Sequence, residues 1–175
     1  MYRAFIISTL FLSFISFVSC KTYSYKKTDI VNLKQIGLAL KTYCDENNET
    51  YPDKLSDLWR AKILTEGKIF VSPGSKTPIP KSPEDIDKGH VDYVYLAYGG
   101  WEGDYNAETV MAFTKPGIIK GYTSVMYGDA HVKGFSVPNV KDIKSLFKAL
   151  EAHPDIVFNK RKYKFLEERN SKNKK

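Results

Sequence analysis

Few residues of this chain are of a kind that does chemistry: three histidines, two cysteines and one loop of alternating oxygen ligands. His90, His131 and His153 each lack a second His, Cys or carboxylate at the spacing a zinc site needs. No G-x-S-x-G elbow, phosphate-binding loop or H-E-x-x-H helix occurs. The chain is therefore expected not to be an enzyme. His131 falls on an expected hairpin strand, where a half-buried structural imidazole is the plainest role, and His153 suits the negative end of a helix dipole.

The oxygen ligands follow Gly99-Gly100. Glu102, Asp104, Asn106 and Glu108 alternate with other residues, and a loop can wrap calcium with hard oxygens at every second position. The loop lacks the glycine and the distal glutamate of a calcium-binding motif, so a solvated acidic turn is favoured over a calcium site. Tyr98, Trp101 and Tyr105 lie in the same stretch. Exposed, they make a binding patch able to stack on sugars; buried, they are core. Trp101, Glu102, Asp104 and Asn106 are thus the candidate ligand or calcium loop. No other metal site and no cofactor is expected.

The two cysteines play different parts. Cys44 sits in an apolar helical stripe and reads as a buried, inert thiol. Cys20 closes a segment with a positive start, Met1 to Arg3, and an apolar run from Ala4 to Val18. That is the plan of a bacterial secretory signal, and Val18-Ser19-Cys20 resembles a lipobox, in which the cysteine is acylated and becomes the first mature residue. As a permanent membrane anchor, the seventeen residues Ala4 to Cys20 would reach about 25 Å, short of the ~30 Å hydrocarbon core. Residues 1–19 are expected as the signal peptide, Cys20 as the lipidation site and 20–28 as a tether. The mature protein would stand in the bacterial cell envelope outside the cytoplasm, held to the membrane by lipid.

The net charge of +7 invites a nucleic-acid reading, but it is unevenly spread. Residues 158–175 carry eight Lys or Arg against two Asp or Glu, whereas 20–157 hold eighteen of each sign. The excess is a basic tail, so no nucleic-acid partner is expected.

Between tether and tail, 29–157 reads as one α+β domain. Ile30, Leu33, Gly37, Leu40 and Cys44 repeat at helical spacing, with Thr28 and Asp29 suited to the first turn and Asn47-Asn48 to the end. Asp53 can cap a short helix with Leu55, Leu58 and Trp59. Ile69 to Val71 reads as a short strand, and the proline-bearing stretch Ser72 to Lys88 as a surface loop. Strands are expected at Val91–Tyr98 and Thr109–Lys115, then a hairpin of Ser124–Tyr127 and His131–Phe135 around Gly128-Asp129-Ala130. A last helix starts from Asn139. The long amphipathic helix should lie across one face of the small antiparallel sheet.

Four stretches, in this order, resemble known proteins. NLKQIGLALKTYCDENNETYPDKLSDL, Asn32 to Leu58, resembles the core of type II secretion pseudopilins and related prepilin-type proteins, which run a helix into a D-x-N-G-x-Y-P turn. Asp45, Asn47, Tyr51 and Pro52 match that turn, and Asn48 takes the glycine place. IFVSPGSK, VDYVYLAYGG and SVMYGDAHVKGF resemble their later segments, with Ala130 where relatives carry glycine. The resemblance implies a pilin-like head. The acidic residue that pseudopilin stalks bear near their start is missing, since none precedes Asp29. A head moved onto a lipid anchor, in contact with other envelope proteins of a secretion or pilus-like system, is the implied function. The alternative is a solute- or glycan-binding lipoprotein using the aromatic loop around Trp101.

Overall fold

A computed structural model describes residues 22–159, and helix α1, Tyr2–Glu46, is taken here from Thr22 onward. The expected signal 1–19, the lipidation site Cys20 and nearly all of the basic tail lie outside the described residues. Three short helices follow: α2 (Ser56–Arg60), α3 (Pro83–Asp87) and α4 (Ile143–Glu151). The strands are β1 (Tyr93–Tyr95), β2 (Val110–Thr114), β3 (Tyr122–Tyr127) and β4 (Val132–Ser136). They form one antiparallel meander in the order β1-β2-β3-β4, so the α+β expectation holds.

Alternation along the strands gives the sheet two apolar faces. Tyr93, Ala112 and Met126 point to one side, where they pack with Leu33, Ile36, Leu40 and Cys44 of α1. Val94, Phe113, Val125 and Tyr127 point to the other, against Leu146, Phe147 and Leu150 of α4. β2 and β3 are consequently buried along their whole length. Gly37 lets α1 come close to the sheet: a methyl group built there would lie 2.8 Å from Met126 Sδ and 2.9 Å from Ala130 Cβ.

Several local expectations are corrected. Thr28 does not cap a helix start, because α1 already runs through it and its hydroxyl donates to the Ser24 carbonyl at 3.1 Å. Residues 22–28, expected as tether, are helical. Ile69-Phe70 lies in a 3-10 turn, Gly67–Phe70, instead of a strand. The Val71 carbonyl accepts from the Asn32 side chain at 3.1 Å, and Asp92 N–H donates to the Phe70 carbonyl at 3.0 Å, so no neighbouring strand is needed. The surface loop contains α3, opened by Pro83 in the first turn, a place where the missing N–H costs nothing. α4 begins later than Asn139, whose φ is +67°, because Asp142 and Ser145 form a reciprocal capping box: Asp142 Oδ1 accepts from Ser145 N–H at 2.7 Å. Asn48 ends α1 in the left-handed region as expected, at φ +51°, and Glu49 follows at +57°.

Candidate functional site

The end of α1 and the loop after β1 meet at one corner, and the candidate residues gather there. Two strands of backbone hold it together. Tyr51 N–H donates to the Gly100 carbonyl at 2.8 Å, Gly99 N–H to Pro52 at 3.1 Å and Glu102 N–H to Glu49 at 2.7 Å. Tyr95 adds its hydroxyl to the Pro52 carbonyl at 3.0 Å. The Tyr51 ring meets the Tyr105 ring edge to face at 5.5 Å, and Tyr105 is buried. The aromatic loop is therefore divided: Tyr105 belongs to the core, Tyr98 is half-buried, and Trp101 stands 55% exposed. The Trp101 indole N–H donates to Glu49 Oε2 at 3.0 Å, which fixes the ring on the surface.

The oxygen ligands take separate duties. Glu102 is bonded to the Lys41 ammonium. Burial works most strongly against that ammonium, but Glu102 and Tyr51 together, through hydrogen bonds and charge, outweigh it and the Lys41 pKa is raised. Asn106 Oδ1 accepts from Glu108 N–H at 3.1 Å and from the Thr109 hydroxyl at 2.8 Å, closing its own turn. Asp104 is exposed in a 3-10 turn, Glu102–Asp104. Among the described residues, no group of three or more His, Cys, Asp or Glu is placed to hold a metal.

Beside this corner lies an open pocket of about 360 Å³ lined by Tyr43, Asn47, Tyr51, Asp53, Asp57 and Gly99, among others. Burial, then the charges of Asp57 and Asp53, raise the Tyr43 pKa, so its hydroxyl stays protonated and can donate. Asp57 is engaged already, accepting from Lys54 N–H at 3.0 Å and pairing with Arg60 at 3.1 Å. The pocket offers a rim of hydroxyls and carboxylates suited to polar contact. It offers no activated nucleophile.

A second polar site was not foreseen. Asp29, expected in the first turn of a helix, is fully buried beneath α1 and faces the sheet. It accepts from the hydroxyls of Thr114 and Ser124, both at 2.6 Å, and of Tyr93 at 3.1 Å. Burial and the Asp29 charge drive the Tyr93 pKa far upward, so that hydroxyl keeps its proton to donate. This is a pin joining helix to sheet.

His131 and Asp129 form a contact at the β3–β4 turn, Nδ1 to Oδ1 at 2.5 Å, with the imidazole stacked on Tyr127 at 4.3 Å. Burial disfavours the Asp129 carboxylate, but bonds from the His131 backbone and ring outweigh that and its pKa is lowered. A carboxylate–imidazole pair can activate a hydroxyl, a thiol or a water that lies on the other ring nitrogen. Among the described residues, His131 Nε2 is buried without a hydrogen-bond partner, so no described side-chain hydroxyl or thiol is bonded to it. Cys44 is fully buried in the α1 stripe, and its thiol is pushed up to about 11, chiefly by that burial.

No known protein family, curated protein or solved structure matches this chain. Among the described residues, no helix is long and apolar enough to cross a membrane.

Proposed function

We propose that this chain is a non-enzymatic lipoprotein of the bacterial envelope whose pseudopilin-like head contacts other proteins of a secretion or pilus-like assembly. The observation that carries the reading is the corner at the end of α1. A helix laid over an antiparallel meander runs into Asp45-x-Asn47-Asn48-x-x-Tyr51-Pro52, with Asn48 left-handed at the place where the resembled proteins carry glycine. Val31 and Leu38, seven residues apart on the outer side of α1, are 50% and 56% exposed and supply an apolar strip for a neighbour. Lipid on Cys20 supplies the tether.

A photo-crosslinking residue placed at Leu38 should give one discrete protein adduct in envelope membranes, and Val31→Asp should abolish it without changing the circular dichroism of the head. Mass spectrometry of the mature protein should find acyl groups on Cys20. An intact, unacylated front end together with no adduct would overturn the proposal.

The exposed, tethered ring of Trp101 favours a second reading, a glycan- or solute-binding lipoprotein. That reading requires a ligand-dependent change in Trp fluorescence that is lost in Trp101→Ala.

A further inference from the structure

The sign-balanced body of 20–157 is not balanced in space. At the end of the head from which α1 arrives, contacts bring together three segments. Tyr25 lies against Gly74, where an added methyl would sit 2.7 Å from its ring. Lys26 Nζ stands 4.7 Å from the centre of the Tyr122 ring. Asp92 joins the other two segments, accepting from Ser72 N–H at 2.9 Å and the Thr77 hydroxyl at 2.5 Å while its carbonyl accepts from Lys115 N–H at 2.8 Å. Segments 22–29, 72–78 and 114–124 thus share one pole. They carry Lys26, Lys27, Lys76, Lys115 and Lys120, and their sole acid is Asp29. Asp29 and Asp92 are both buried, so the charge this pole presents to solvent is positive.

The far end has the opposite sign. Residues 45–53 and 99–108, bonded together at the corner already described, hold Asp45, Glu46, Glu49, Asp53, Glu102, Asp104 and Glu108 and no lysine or arginine. Carboxylates at a helix C-terminus oppose the helix dipole, and the last turn of α1 has no basic residue to offset them. Helix stability therefore does not account for this distribution.

We propose that the basic pole rests on an anionic phospholipid surface and holds the head with its acidic end pointing away. The inference deepens the membrane-tethered reading and rests on it. Three observations select a bilayer over another polyanion. The pole is the end nearest in sequence to the apolar run Ala4–Val18. Tyr23, 62% exposed, and Tyr25, 36% exposed, lie beside the lysines, and tyrosine is a residue of the membrane–water boundary. The pole's cations are all lysines, point charges suited to a diffuse anionic layer, with no arginine fork for planar recognition. Each lysine close to such a surface strengthens association about five-fold at moderate salt, and the effect fades beyond about 8 Å.

The test reconstitutes the full processed chain on vesicles of phosphatidylcholine alone, or with about 30% phosphatidylglycerol, and follows amine labelling of each lysine by mass spectrometry. On the anionic vesicles, labelling of the half-buried Lys26 and of the exposed Lys27, Lys76 and Lys120 should slow at least about three-fold and recover in ~0.5 M salt, while that of Lys54 and Lys62 stays unchanged. The combined variant Lys27→Glu, Lys76→Glu, Lys120→Glu changes exposed side chains only and should remove the protection at Lys26 with the circular dichroism retained. Equal labelling on both vesicles would overturn the inference, as would protection confined to residues 160–175. Protection by added single-stranded nucleic acid with none on vesicles would overturn it too. Loss of the chain from neutral vesicles would count against the lipid anchor alone, because labelling on anionic vesicles still reads the pole.

Discussion

Removing the Asp29 carboxylate takes the acceptor from three hydroxyls, those of Tyr93, Thr114 and Ser124, in a place sealed from solvent. Asp29→Ala should destabilise the head by about 3 kcal/mol or more, since each orphaned buried donor costs roughly 1–3 kcal/mol. Asp29→Asn keeps one oxygen for Thr114 and Ser124 and removes a desolvated charge, so its loss in urea unfolding should be less than half as large. Equal losses for both variants would show that the pin does not work through its hydrogen bonds. Cys44 gives a second prediction. With its thiol buried and its pKa near 11, it should resist alkylation at about pH 8 in the folded chain and react only as fast as the chain opens. Asp29 also shows where sequence reading stops. Thr28-Asp29 before an apolar stripe looks the same whether a helix begins there or has been running for turns. Only the partners across the sheet, 64 to 95 residues later, tell the two apart.

Elements were legible in proportion to their length. The α1 stripe repeats over enough turns for its period to be unmistakable, and the hairpin is marked by its turn residues. The 3-10 turn Gly67–Phe70 and the five-residue α3 are too short to show a period, and Ile69-Phe70-Val71 is equally good as a strand. The α1–sheet contact yields its own prediction. Gly37→Leu forces a side chain against Ala130, whose backbone cannot yield as the Met126 thioether can, and should cost about 3 kcal/mol; a chemical denaturation midpoint unchanged by the substitution would contradict this contact. α2 and α3 are clasped by Asp87, which accepts from Arg60 at 2.6 Å and from the Ser56 hydroxyl at 2.7 Å. The Arg60 bond, then Ser56, lowers the Asp87 pKa. A lowered folded pKa means the clasp stabilises above the unfolded carboxylate value of about 4 and is lost as pH falls below it. Wild type should therefore exceed Asp87→Asn in thermal midpoint near neutrality, with the gap closing below about pH 4.

At the scale of the molecule, the sheet carries two cores, and α4, with Val137, Ile156 and Phe158 around it, closes one of them. A chain ended after Pro138 should expose Val94, Phe113, Val125 and Tyr127, bind a hydrophobic dye and aggregate. Unchanged dye binding and solubility would show that the segment after Pro138, α4 included, is a dispensable lid. The candidate corner was legible as a set of residues, Trp101, Glu102, Asp104 and Asn106, because glycines and alternating oxygens mark a loop. Which ring would stand outside was not legible, since Tyr105 and Trp101 differ only in what the fold brings against them. The charge poles escaped reading for a related reason: a count along the chain adds to zero, and only folding sorts the signs.

That sorting has a consequence for how the two ends of the head influence each other. From Lys27 to Glu46, α1 rises about 30 Å, some three to four screening lengths at physiological ionic strength. The two ends are electrically insulated from each other. On the proposed arrangement, a change in lipid composition at the basic pole would reach a partner at the acidic end only as tilt or thrust of a rigid rod, and a hinge inserted midway along that rod would uncouple them while leaving both surfaces intact.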